Sequence, residues 1–143
     1  MPCTNWKCCE KINDKEISLE EKRSKFILKN NNKDDIGKIK YDDCLNYSDN
    51  GKRCDYILTH EKVTLFIELK GNKFDKAILQ LKNSIKDMKN NCQGKTIYAF
   101  VVASSVPQMT TRLSNKIKEF RKNKTTLEYQ SIKMTKTLDS LFK

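Results

Sequence analysis

The alternation of apolar and polar positions is clearest between residues 53 and 71. Residues 54–59 (Cys-Asp-Tyr-Ile-Leu-Thr) and 63–69 (Val-Thr-Leu-Phe-Ile-Glu-Leu) are rich in β-branched, aromatic and aliphatic side chains, which marks two short strands. If Glu61 and Lys62 form the loop between them, His60 lies opposite Val63. Counting back along the ladder then sets Asp55 across from Glu68. Side chains alternate faces along a strand, so Glu68 and Lys70 share one face while Ile67 and Leu69 share the other. A slip of one residue would undo that cluster. His60, the single histidine of the chain, falls at the hairpin tip, where an exposed and chemically idle role is expected.

Downstream, residues 73–90 repeat apolar positions at three- and four-residue steps (Phe74, Ala77, Ile78, Leu81, Ile85, Met88), the stripe of an amphipathic helix. Gln80 and Ser84 lie beside that stripe. Residues 96–103 (Thr-Ile-Tyr-Ala-Phe-Val-Val-Ala) are almost unbroken hydrophobic, as in a strand covered on both faces. Strand, helix and buried strand in succession predict a crossover, with 96–103 parallel to 63–69. A second amphipathic helix is expected over 108–122, an edge strand over 125–132 and a short helix over 138–142.

Upstream, residues 17–25 read as a short helix with Ser18 as cap and Glu21 completing a capping box. Residues 26–28 and 36–41 read as a hairpin around the polar loop 30–35, and 46–52 as a turn. The whole is one α/β domain spanning 1–143, a mixed sheet flanked by helices, with a cysteine-containing N-terminal extension over 1–16. No apolar run reaches the roughly 18 residues of a membrane span and no signal-peptide pattern is present, so a cytoplasmic protein is expected.

Hydrophobic residues make up 37% and charged residues 33% of the chain, so the core must be compact beneath a wide polar surface. The net charge of +11 favours a polyanionic partner and salt-sensitive binding. AT-rich coding is the plain alternative source of so many lysines. The second predicted helix carries a dense basic face; Arg112 and Lys116 on it, with Lys73 at the start of the first, are the candidate nucleic-acid contacts. Six cysteines in a cytoplasmic protein are expected as reduced thiols. Cys3, Cys8 and Cys9 make a poor zinc-ligand spacing, and a structural Zn²⁺ completed by Cys44 or Cys54 stays a minor alternative. Four glycines exclude a Gly-rich phosphate loop, and no Ser-His-Asp set is present.

Carboxylates facing each other across a hairpin repel, and a hard cation between them removes the penalty. Mg²⁺ is commonly held by one or two carboxylates with water and phosphate oxygens. A lysine two residues past the second carboxylate suits phosphodiester hydrolysis, the metal activating water and the ammonium stabilising developing charge. Asp55, twelve intervening residues, then Glu68-Leu69-Lys70 resembles the PD-(D/E)xK nuclease superfamily, with its restriction-endonuclease-like fold. Residues 41–81, with Arg-Cys-Asp-Tyr, Ile-Glu-Leu-Lys-Gly and Ala-Ile-Leu-Gln-Leu, are similar to small members of that group, and the likeness covers roughly 36–105. Cys54 stands where the family name has proline. The resemblance implies Asp55 and Glu68 as ligands of Mg²⁺ or Mn²⁺, Lys70 as catalytic, and Gln80 in support. It also implies that a glutamate on the first helix, with Glu20 and Glu21 as the candidates, helps hold the metal, though a solvated helix face accounts for both. Asp42 or Asp43 could stand near the site, turn formation being the commoner role. The implied activity is nuclease action, on DNA ahead of RNA, with a homodimer plausible for a small module. The rivals are a non-catalytic nucleic-acid binder of the same fold and a small zinc-binding interaction protein.

Overall fold

The computed structural model describes residues 2–44, 47, 53–70 and 73–142. In chain order the strands are β1 (Cys9–Ile12), β2 (Glu16–Glu21), β3 (Ser24–Lys29), β4 (Ile36–Ile39), β5 (Tyr56–Thr59), β6 (Val63–Lys70), β7 (Thr96–Ala103), β8 (Thr125–Ser131) and β9 (Lys133–Thr137). Helix α1 (Phe74–Asp87) joins β6 to β7, and α2 (Thr111–Lys122) joins β7 to β8. Six strands form a mixed sheet in the order β1-β4-β5-β6-β7-β8, antiparallel from β1 to β6 and parallel from β6 to β8. A smaller sheet has the order β2-β3-β9.

The strand alternation sorts the core into two layers. On one side of the large sheet Ile57, Phe66, Ala99 and Val101 pack against Ala77, Ile78 and Leu81 of α1 and Leu113 and Phe120 of α2. On the other side Leu58, Leu65, Ile67, Phe100 and Val102 meet Ile17, Leu19, Phe26, Leu28 and Met134 of the small sheet. Strand β7 is thereby covered on both faces, which is why it reads as a continuous apolar run. Its parallel pairing with β6, the edge position of β8 and both amphipathic helices agree with the sequence expectation. The expected terminal helix is a 3₁₀ turn over Leu138–Leu141.

Four expectations are corrected. Residues 17–25 are not helical but the β2–β3 hairpin, turned at Lys22 in the left-handed region (φ 52°). Burying Ile17 and Leu19 at a spacing of two outweighs the capping-box signal. Residues 26–28 and 36–41 do not form a hairpin, because β3 and β4 belong to different sheets. The buried Asn30 pins the crossing between them: its Nδ2 donates to the carbonyls of Asp14 (3.1 Å) and Asp34 (2.8 Å), and its Oδ1 accepts from the Asp34 amide (3.0 Å). His60 sits at the hairpin tip but is buried, with Nε2 3.1 Å from Asp34 Oδ2 and its ring stacked on Phe142. Its Nδ1 accepts from the Lys62 amide (3.1 Å), so Nε2 carries the proton toward Asp34. The fourth correction concerns the thiols. Cys3 is bonded to Cys9 and Cys8 to Cys44, leaving Cys54 and Cys92 free and buried. Left-handed backbone at Asn5 (φ 70°) and Cys8 (φ 59°) folds the N-terminal segment back on itself, which spacing alone does not reveal. Of the cysteines a zinc knot would draw on, Cys3, Cys8, Cys9 and Cys44 are thus spent in disulfides, and Cys54 is left buried in the core.

Strand β9 has no counterpart among the elements expected from the sequence. The chain passes from the large sheet to the small one at Ile132, held in the left-handed region (φ 68°) by its amide on the Ala103 carbonyl (2.7 Å) and its carbonyl on the Lys25 amide (2.9 Å). Such backbone is costly for a β-branched residue, and the two bonds on either side over-determine it. The turn expected over 46–52 lies outside the described residues apart from Tyr47. No helix among the described residues is long and apolar enough to cross a membrane.

Gly37 on β4 shows how closely the N-terminal segment is fitted. A Cβ there would stand 2.7 Å from Cys9 Sγ and 2.9 Å from Thr59 Cγ2, and the disulfide keeps that sulfur from moving aside. Gly37→Ala is expected to lower stability by about 1–3 kcal/mol, read as a lower urea midpoint. The loss should shrink in a Cys3→Ala/Cys9→Ala background; an unchanged midpoint would contradict the close fit.

Candidate metal centre

The β5–β6 ladder pairs Tyr56 with Ile67 and Thr59 with Thr64, and the His60 amide donates to the Val63 carbonyl (2.8 Å). That register places Asp55 opposite Glu68, as the two-residue loop predicted. The contact is reciprocal: the Asp55 amide donates to Glu68 Oε1 (3.0 Å), and the Leu69 amide donates to Asp55 Oδ2 (2.8 Å). Both acids are buried, Asp55 at 5% exposure and Glu68 at 0%. Glu68 alternates in step with Phe66 and so lies on the α1 side of the sheet. Position 70 closes β6 opposite Ala103; the Lys70 side chain lies outside the described residues.

Two further carboxylates join Asp55. Single oxygens from Glu21, Asp42 and Asp55 all lie within 4.8 Å of one another. Glu21 continues the inward stripe of β2 after Ile17 and Leu19, which is why it, and not the exposed Glu20, reaches the site. Asp42 stands in the 3₁₀ turn Tyr41–Asp43, whose Tyr41 amide donates to the Asp55 carbonyl (3.0 Å). Asp43 turns away to Lys40 (3.1 Å). The spacing-of-two signal in Ile17-x-Leu19-x-Glu21 identifies the glutamate only once that stretch is read as a strand.

Ionised pairs at this separation repel by about 3–4 kcal/mol each at an effective dielectric near 20. Burial, then the neighbouring Glu68 carboxylate, pushes the Asp55 carboxyl up to about 9. Burial also raises Asp42 above its ordinary value. Hard oxygen donors of this kind suit Mg²⁺, Mn²⁺ or Ca²⁺. Oxygens on one Mg²⁺ stand at most about 4.2 Å apart and those on one Ca²⁺ about 5 Å, so this set fits a divalent ion with small side-chain adjustments.

Helix α1 holds the approach to Asp55. Gln80 Nε2 donates to the Arg53 carbonyl (3.1 Å) and Ser84 Oγ accepts from the Cys54 amide (2.8 Å). Gln80 therefore positions the backbone next to the site. Its buried Oε1 has no hydrogen-bond partner among the described residues. Cys54, next to Asp55, packs in the helix-side core, and burial pushes its thiol up, away from reactivity.

The basic residues gather at the carboxyl ends of β6 and β7. A cleft of about 540 Å³ there is lined by Lys73, Phe74, Asp75, Lys76, Pro107 and Arg112 among others. Lys73 is five residues beyond Glu68, hence within about 18 Å of it. Arg112 shares its charge with Asp75 (3.0 Å). Lys116 lies further along α2, near Glu119 (3.9 Å) and outside the cleft lining. No known protein family, curated protein or solved structure matches the chain.

A carboxyl raised in the folded state takes up a proton on folding. Its stabilising contribution is complete below about pH 4, near the ordinary value of 3.8, and is lost as pH climbs through about 9. Thermal unfolding in EDTA is expected to show a midpoint falling across that window, and Asp55→Asn should flatten the fall. A variant that keeps the wild-type slope would contradict the assignment.

Proposed function

We propose that the chain is a Mg²⁺- or Mn²⁺-dependent nuclease of the PD-(D/E)xK type, with a restriction-endonuclease-like core, acting on DNA ahead of RNA. The observation that carries the reading is buried Asp55, whose carboxyl accepts from the Leu69 amide and converges with Glu21 and Asp42 while its own amide donates to the Glu68 carboxylate across the hairpin. The order of elements supports it too: an acidic hairpin, a helix bearing Gln80, and a parallel strand at whose carboxyl end a basic cleft opens. Ligands of open α/β sheets commonly bind at that edge.

Asp55 would hold the cation with Glu68, Glu21 and Asp42 as the remaining oxygen donors. The bound ion would supply an activated water and neutralise charge on the phosphodiester. Lys70 follows Glu68 by two residues and would stabilise negative charge developing on the phosphate. Lys73 and Arg112 would bind the flanking backbone phosphates, and Gln80 would keep Arg53 and Cys54 in place beside Asp55.

Asp55→Ala and Glu68→Ala are expected to abolish Mn²⁺ binding by titration calorimetry and metal-dependent cleavage of plasmid DNA. Lys70→Ala should bind the ion normally yet lose roughly 100-fold or more in cleavage rate. Wild-type cleavage rates in these variants would refute the assignment; ion binding without cleavage in the wild type would favour a non-catalytic binder. Separately, Lys73→Glu with Arg112→Glu should weaken oligonucleotide binding in EDTA and shallow its salt dependence by about one unit or more, read by fluorescence anisotropy at several salt concentrations. An unaltered slope would place the strand elsewhere.

A further inference from the structure

The N-terminal segment reaches the carboxylate cluster through one covalent bond. Cys8 is exposed, whereas its disulfide partner Cys44 is buried at 2% exposure and lies two residues after Asp42. The segments flanking Asp42 and Asp55 meet at Cys44: its amide donates to the Tyr41 carbonyl (3.3 Å), and its carbonyl accepts from Arg53 Nη1 (2.7 Å). Next to the bond, the Lys7 amide donates to Tyr47 Oη (2.7 Å), which donates in turn to the Lys7 carbonyl (3.3 Å). The tyrosine ring packs edge-on against Tyr41. A segment 36 residues away in sequence thus clamps the turn that carries Asp42, while Cys3–Cys9 closes only a local loop.

We propose that the Cys8–Cys44 disulfide is a redox-sensitive staple that sets the affinity of the carboxylate cluster for a divalent cation. The inference rests on the ion-binding reading of Glu21, Asp42, Asp55 and Glu68. A small thiol, as its thiolate, attacks the sulfur of Cys8, the exposed residue of the pair; the S–S bond breaks and Cys44 leaves as a thiolate that takes up a proton. A second thiol attacks the mixed disulfide, releasing Cys8 as a thiol and leaving the two reductants joined as their disulfide. Two electrons pass to the protein and none to the bound ion. With the staple open, the Tyr41–Asp43 turn keeps its Tyr41–Asp55 backbone bond and its contact through Tyr47 but loses its covalent tether to the N-terminal segment, so Asp42 is held less firmly against Asp55. In oxidising surroundings the bond persists and in a reducing compartment it opens, so the same chain would bind the ion tightly in one setting and weakly in the other.

The test measures Mn²⁺ affinity of oxidised and dithiothreitol-reduced full-length protein by calorimetry, with hydrogen exchange at the Tyr41 and Cys44 amides followed in parallel. Reduction is expected to weaken Mn²⁺ binding about tenfold, in the range seen when support around metal ligands is lost. It should also speed exchange at both amides. Cys8→Ser should show the weak affinity in either redox state, whereas Cys3→Ser/Cys9→Ser should keep the redox response. Equal affinity of oxidised and reduced protein would overturn the proposal. If neither form binds Mn²⁺, the metal reading fails on its own account. The exchange data then decide the tether: unchanged protection on reduction overturns it, and faster exchange confined to proteins lacking the Cys8–Cys44 bond sustains it.

Discussion

Two acids that would avoid each other in water are held across a hairpin inside the protein, and most of the surrounding structure serves that constraint. Asp55 and Glu68 each accept from the opposing strand's backbone, so their spacing is set by the β-ladder and not by flexible side chains. An unpaired buried carboxylate is costly, and here the cost is met by backbone donors, by proton uptake at Asp55 and, on the reading advanced above, by a divalent ion. Gln80 and Ser84 of α1 fix the two residues before Asp55. The Tyr41 amide fixes the Asp55 carbonyl from the other side.

The layered architecture explains why the site forms where it does. Both helices lie on one face of the large sheet, and the β2-β3-β9 sheet covers the other. Glu68 projects toward the helices and holds the Asp55 amide, whereas Glu21 arrives from the end of the small sheet and meets Asp42 and Asp55 at the sheet margin. The parallel arrangement of β6 and β7 sends both strands toward the same edge and opens the basic cleft beside it. The acids Glu21, Asp42 and Asp55 thus gather at the hairpin base, whereas Lys73, Lys76 and Arg112 line the cleft together with Asp75.

The small sheet and the disulfides give the N-terminal third a structural role beyond that of an extension. Strand β1 completes the edge of the large sheet by pairing with β4, and Cys3–Cys9 lies over Gly37 where no side chain would fit. At the opposite end of the hairpin, His60 fastens the loop to Asp34 and Phe142. The same two strands thus carry a polar fastening at their tip and a chemical constellation at their base.

The strands and helices of the second half were legible in the sequence because their apolar periods agree with their final burial. The register that sets Asp55 opposite Glu68 followed from loop length and alternation, both local properties of the chain. What sequence order could not reveal was non-local. Ile17 and Leu19 fit a strand as well as a helix until a second sheet face exists for them to cover, and Glu21 joins the site only through that choice. Asp42 and Asp43 are equivalent in composition, yet one backbone bond from Tyr41 to Asp55 turns the first toward the carboxylates. The cysteines likewise needed the left-handed turns at Asn5 and Cys8 to bring sulfurs together. Local pattern determined the elements, while packing between sheets decided which acids meet, because convergence of side chains depends on contacts that alternation within one element does not encode.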